Sequence, residues 1–206
     1  VKTQALEALC LDQRKEHNLD ILDSAKNAIE TVQRALSKKN VLETAEVGDL
    51  NALELLIAQH REVDALFAAY EEAGDKAYRT KEKIYEKIAE KLRLHAELEE
   101  KHFYPSAERL DTALVREAEE EHQVLKEMLA KIDELAAEDS TFDAKVTVLK
   151  ELVEHHVREE ERELFPGCKS KMSEEKLKEI GEIMHAETLR RDSSLQQKKS
   201  EASEPH

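Results

Sequence analysis

The chain has no tryptophan, four glycines and three prolines in 206 residues. A β-rich fold needs Gly, Pro and Asn at its many tight turns, so this poverty of punctuation argues against one. There is no run of about 18 apolar residues, and therefore no expected membrane-spanning helix. Cysteine is scarce: Cys10 and Cys168 lie far apart with no CxxC pairing, which fits a reducing compartment better than a disulfide scaffold, with a single bridge left open. The amino-terminal VKTQALEALC lacks the charged-then-apolar build of a signal peptide, so a cytoplasmic location is expected. Positive charge is also in deficit, 32 Lys and Arg against 47 Asp and Glu, for a net charge of −15. Nothing here neutralises a polyanion, which argues against nucleic acid and against an anionic membrane surface as partners.

What the chain has in quantity is Glu, Lys, Leu and Ala, with 38% charged residues, the composition of long helices with solvated faces. Residues 1–48 read as an amino-terminal helical extension with a narrow seam at Leu22, Ala25, Ile29, Val32 and Leu36, able to pack along the rest of the chain or to form a homodimer. From Asp49, a plausible N-cap, four apolar stripes follow. They are Leu53, Leu56, His60, Val63 and Phe67; then Tyr85, Ile88, Leu92, His95, Glu99 and Phe103, with a stop at Pro105. The third is Val115, Ala118, His122, Leu125, Leu129 and Ile132, behind a cap at Asp111 or Thr112; the fourth is Leu149, Val153, His156, Glu160 and Leu164, with a stop at Pro166. Short connections between four such helices predict an antiparallel up-down-up-down four-helix bundle over residues 49–171. Ser173 is expected to cap a short helix ending near residue 190, and residues 191–206, with no apolar face, to be disordered.

Polar residues interrupt these stripes in a repeated pattern. Setting Pro105 on Pro166 aligns His95 with His156, Glu99 with Glu160, Glu100 with Glu161 and Tyr104 with Phe165. Each copy therefore carries HxxxE, whose side chains share one helical face. His60 precedes His95 by 95 − 60 = 35 residues, and His122 precedes His156 by 156 − 122 = 34. One HxxxE in a glutamate-rich helix is close to chance, and His155 with Glu159 is a further match that the proline register disfavours. Four histidines and two carboxylates on core stripes are different, because an unpaired buried carboxylate costs several kcal/mol or more, order of magnitude. A metal pair would compensate both charge and lost hydration. Imidazole with carboxylate and no thiolate suits iron, manganese or zinc.

The segments DLNALELLIAQHREVDALF, HAELEEKHFYP, EEEHQVL and HHVREEERELFP together resemble the hemerythrin-like, or HHE cation-binding, family over roughly residues 49–171. The resemblance implies a four-helix bundle holding two irons with an oxo or hydroxo bridge. His60 and His95 would serve one iron, His122 and His156 the other, and Glu99 and Glu160 would span both. It implies dioxygen, peroxide or nitric oxide as the small ligand, in sensing, storage or protection, with ligand binding favoured over enzymatic turnover. The rival readings are a di-iron enzyme acting on peroxide or nitric oxide, a ferroxidase, a ferritin-like carboxylate site built on ExxH pairs such as Glu119/His122, and a metal-free interaction module. The oxygen carriers of the family place another histidine one turn before the third-helix ligand, where this chain has Ala118. That departure weakens reversible oxygen carriage as an expectation. His102, Glu119 and Tyr104 are candidates for an outer shell around the metals.

Overall fold

A computed structural model describes residues 50–201. Among these the ordered elements are all helical, with no strand. Helix α1 spans Ala52–Glu72 and α2 Tyr78–Leu98; α2 runs on through a π-helical turn, Glu99–Phe103, into the short α3, Tyr104–Ala107. Helix α4 spans Thr112–Asp133 and α5 Phe142–Glu159. A second π-helical turn, Glu160–Leu164, carries α5 into α6, Phe165–Lys171, and α7 spans Glu174–Glu201. The amino-terminal seam, its dimer expectation and the Asp49 cap lie outside the described residues.

The helix starts follow their sequence chemistry. Asn51 caps α1 with a reciprocal pair: its side chain accepts from the Glu54 N–H and the Glu54 carboxylate accepts from the Asn51 N–H, each at 3.1 Å. The Asp111 side chain accepts from the Leu114 N–H at 3.2 Å to start α4, and the Ser173 hydroxyl accepts from the Lys176 N–H at 3.2 Å to start α7. The helices do not stop at Pro105 and Pro166, contrary to expectation. Each proline sits within the first two positions of a new short helix, where its missing N–H leaves no bond unmade. The π turn just before it lets the chain continue. Helix α7 is longer than the helix expected to end near residue 190, its backbone helical to Glu201; the last residues of the expected tail, 202–206, lie outside the described residues. Residues 191–201 contain neither Gly nor Pro, so no residue of that stretch breaks a helix extending from a docked one.

Every residue of the four predicted stripes is buried. They form two apolar clusters with the polar stripe residues between them. One cluster gathers Leu53, Leu56, Leu98, Val115 and Leu164; the other gathers Val63, Ile88, Leu92, Leu129 and Val153. Along the chain, α1 and α4 pass from the first cluster to the second, and α2 and α5 pass back. At the far end of the second cluster, Tyr70 and the buried Lys81 both donate to Asp143, at 2.5 and 2.8 Å, joining α1, α2 and α5. Tyr85 donates to Asp133 at 2.8 Å, tying α2 to α4. Helix α7 adds Leu177, Ile180 and Met184 to the first cluster. It approaches α1 closely because residue 181 is glycine: a Cβ there would stand 2.5 Å from the Leu50 carbonyl oxygen.

Candidate metal centre

Each helix contributes through its own turn geometry. Where α2 and α5 run into their π turns, residues four apart still stack on one face, so His95 meets Glu99 at 3.0 Å and His156 meets Glu160 at 3.5 Å. Across the helices, His60 Nε2 lies 3.2 Å from His95 Nε2, and His122 Nε2 lies 3.2 Å from His156 Nε2. Both carboxylates reach both imidazole pairs. Glu99 Oε2 is 3.0 Å from His95 and 3.3 Å from His122; Glu160 Oε2 is 3.4 Å from His60 and 3.5 Å from His156. Glu99 is 0% exposed and Glu160 2%, so two carboxyl groups are removed from water at the centre of the protein.

The imidazoles are held from behind. His60 Nδ1 faces Glu161 at 2.9 Å, His95 Nδ1 faces Gln59 at 2.9 Å, His122 Nδ1 faces Glu100 at 3.0 Å, and His156 Nδ1 faces Glu121 at 2.8 Å. An acceptor behind each Nδ1 keeps its proton there and turns the Nε2 lone pair inward. These four partners were not singled out from sequence. Their signal is adjacency: Gln59 and Glu121 each precede a lone histidine, and Glu100 and Glu161 each follow an HxxxE glutamate. Arg61 in turn donates to Glu161 at 2.5 Å, and Lys126 to Glu100 at 2.6 Å.

The π turns bring an aromatic ring under each half. In an α-helix residues five apart diverge by about 140°, whereas a π turn bonds i to i+5 and stacks them. Tyr104 thus comes within 3.5 Å of Glu99, and its hydroxyl donates to Glu160 Oε1 at 3.0 Å. The Tyr104 ring stacks on His122 and Phe165 stacks on His60. Of the other outer-shell candidates, His102 makes no hydrogen bond to the centre and its buried Nε2 has no partner. Glu119 is exposed on α4; the helix turns Glu121 inward instead. His155 is exposed, between Glu121 and Glu159, while its neighbour His156 faces the core.

The donor set fits a metal pair. Inward-turned Nε2 atoms and carboxylate oxygens are all acceptors, so without a cation they must share protons. Glu99 Oε1 and Glu160 Oε2 are buried with no hydrogen-bond donor. Burial works to lower the pKa of His60 and His156, but Glu160 with Glu161, and Glu160 with Glu121, outweigh it and raise each to about 9. For His95 burial wins over Glu99, and its pKa falls. Glu99 is held well below the usual range because His95 and His122 outweigh its burial. Burial, then the Glu99 and Glu160 charges, raise the Tyr104 phenol well above its ordinary value, which keeps its hydroxyl a donor. Two sets of potential ligand atoms converge: His60, His95, Glu99 and Glu160, and Glu99, His122 and His156.

On the imidazole side, away from the carboxylates, lies a small, partly open pocket with a cavity volume of roughly 20 Å³. Val63, Leu92, Leu125, Leu129 and Val153 line it together with all four histidines. A smaller recess, with a cavity volume of roughly 10 Å³, lies between Leu114, Ala118, Glu121, Glu159, Glu160 and Leu164. It adjoins Ala118, where the side chain is too short to reach the centre.

Comparison with known proteins gives a concordant picture. The family model described as the hemerythrin HHE cation binding domain matches residues 51–168. The fold is similar to the crystal structure of a hemerythrin HHE cation binding domain-containing protein from Mycobacterium kansasii, with a TM-score of 0.63 at 25% identity, covering 71% of this chain and 90% of that one. The sequence is also similar to a protein from Nostoc sp. named DNA nickase, 28% identical over 142 residues. That match takes in 66% of this chain and 38% of the Nostoc protein, so the chain spans well under half the length of that relative.

Proposed function

Since this chain belongs to the hemerythrin HHE cation-binding family, we propose that it is a non-haem di-iron protein that binds dioxygen or a related diatomic ligand. The domain would be an antiparallel up-down-up-down four-helix bundle, with its metal layer between two apolar clusters. His60 and His95 would hold one ion, His122 and His156 the other, and Glu99 and Glu160 would span the two. The observation that carries this reading is the convergence of acceptors: four Nε2 atoms and two fully buried carboxylates, with the Nδ1 positions already taken. Such a layer is stable when a cation supplies the missing positive charge.

A bound iron pair would supply reducing electrons and an open coordination position. The chain's own residues set the conditions. Val63, Leu92, Leu125, Leu129 and Val153 make the imidazole side of the centre largely apolar, beside Gln59, Arg93 and Lys126, which suits a small uncharged molecule. Tyr104 donates to Glu160 Oε1 and so fixes which oxygen of that carboxylate stays free to face the ions. A second reading, turnover of peroxide or nitric oxide, is favoured by the recess at Ala118, where a further nitrogen donor is missing beside His122. With a net charge of −15, the chain has little to offer a phosphate backbone, so nucleic acid is not among its proposed partners.

Metal analysis of untagged protein, reconstituted anaerobically with ferrous iron, should give two irons per chain. Glu99→Ala or Glu160→Ala should each bring the count to one or fewer with helicity retained by circular dichroism. Two irons retained by both variants would defeat the spanning role of the carboxylates. No iron in the unmutated protein would defeat the whole reading. Absorption spectra through cycles of reduction and oxygen exposure separate reversible binding from turnover.

A further inference from the structure

The halves of the centre follow one plan. In each, the lone histidine is backed by the residue after an HxxxE glutamate: Glu161 behind His60, and Glu100 behind His122. Each of those carboxylates carries one cation, Arg61 on the first and Lys126 on the second. In each half the HxxxE histidine is backed by the residue before a lone histidine, and each half rests on one aromatic ring. The carboxylates at the centre are shared between the halves at similar distances. In the backing residues the plan breaks at one place. His95 is backed by the neutral amide of Gln59, and His156 by the carboxylate of Glu121, at 2.9 and 2.8 Å.

Among the groups that accept from Nδ1, the His60/His95 half has one carboxylate, Glu161, and the His122/His156 half has two, Glu100 and Glu121. The second half therefore has one more carboxylate bonded directly to an imidazole. Glu121 also meets the Nε2 of exposed His155 at 3.3 Å, a contact in solvent that screens little of its effect on the buried His156. A carboxylate accepting from Nδ1–H pushes electron density into the ring and makes Nε2 a stronger donor to a metal; an amide oxygen does so less. Resting on the two-metal reading above, we propose that Gln59 and Glu121 are the residues that make the two metal positions unequal. The His122/His156 position fills first, and the His60/His95 position fills second and empties first.

Zinc is a suitable probe, because it binds the same donors without redox change. The full-length, metal-stripped chain is titrated with Zn²⁺ against a chromophoric chelator. The unmutated protein should take two ions in separate steps. Gln59→Glu should tighten the weaker step by about 10–100-fold, and Glu121→Gln should weaken the tighter step by a similar factor, so that both variants narrow the gap. The double exchange Gln59→Glu with Glu121→Gln should reopen the gap with the order reversed. His95→Ala then removes the tight step, whereas in the unmutated background it removes the weak one. If the steps differed only through repulsion between the two ions, Gln59→Glu would make its own half the first to fill and widen the gap. That widening, or an unchanged gap, overturns the proposal while leaving the two-metal reading intact. Failure of the unmutated chain to bind two zinc ions overturns both.

Discussion

His155 and His156 are adjacent and chemically identical, and the helix assigns them opposite fates. His156 lies with Val153 and Glu160 on the buried stripe of α5, and His155 points into solvent between Glu121 and Glu159. His156→Ala should therefore cost more metal affinity than the roughly 10–100-fold expected for an outer partner, because it deletes a donor atom outright. His155→Ala should stay below about 10-fold, since Glu121 keeps its bond to His156. Chelator competition on the two variants measures both, and the reverse order would show that the wrong histidine has been assigned. The choice between the two was readable from sequence, through the proline register and the stripe. The roles of Gln59, Glu100, Glu121 and Glu161 were not, because adjacency to a ligand does not tell which imidazole on another helix a side chain will meet.

At the scale of the element, α7 is held by its buried stripe of Leu177, Ile180 and Met184 and by a close approach to α1. Asn51 donates to Glu174 at 3.0 Å, and Gly181 lies against the backbone at Leu50–Ala52. In Gly181→Ala the new methyl would meet backbone at 2.5 and 2.8 Å, and backbone cannot rotate aside. Overpacking of this kind costs about 1–3 kcal/mol, and the gain in helix propensity returns about 1 kcal/mol. A net loss is expected by urea unfolding. Gly167→Ala is the control, since nothing lies within 4 Å of its added Cβ; it should be neutral or slightly stabilising. Equal stability of the two variants would mean that α7 can shift away from α1 without penalty. The π turns belong to this scale as well. They explain why Pro105 and Pro166 do not end their helices and why Tyr104 shares a face with Glu99.

For the whole molecule, the buried histidine–carboxylate layer couples stability to pH. In the metal-free protein His60 and His156 titrate near 9, above the ordinary value of about 6.5. A raised folded-state pKa means that the folded form binds the proton more tightly. The stabilisation is complete below about pH 6.5 and is lost as pH rises through about 9. His95, shifted downward, acts in the opposite sense and only as pH falls below its ordinary value. The melting temperature of chelator-treated protein should therefore fall between pH 6.5 and 9. Metal replaces those protons and is bound more readily as they leave, so the loaded protein should lose this decline and release protons on loading. A metal-free melting temperature that is flat or rising over that interval would remove the basis for the acceptor-rich layer.

The sequence by itself determined what depends on neighbouring turns: the four buried stripes, the helical class, the two HxxxE faces and the spacing of 35 and 34 residues that sets His60 and His122 beside them. These are local, since i, i+3 and i+4 positions lie on one side of any α-helix. Only the tertiary structure decided which atoms meet across helices. The Nδ1 partners join positions 101, 36, 22 and 35 residues apart, and such pairings depend on how each helix is rotated about its axis, which no short window of sequence records. Tyr104 beneath the carboxylates and Gln59 opposite Glu121 are consequences of that rotation and of the π turns. Sequence spacing put four histidines and two glutamates on core stripes; the packing of the helices decided that Gln59 backs His95 and Glu121 backs His156.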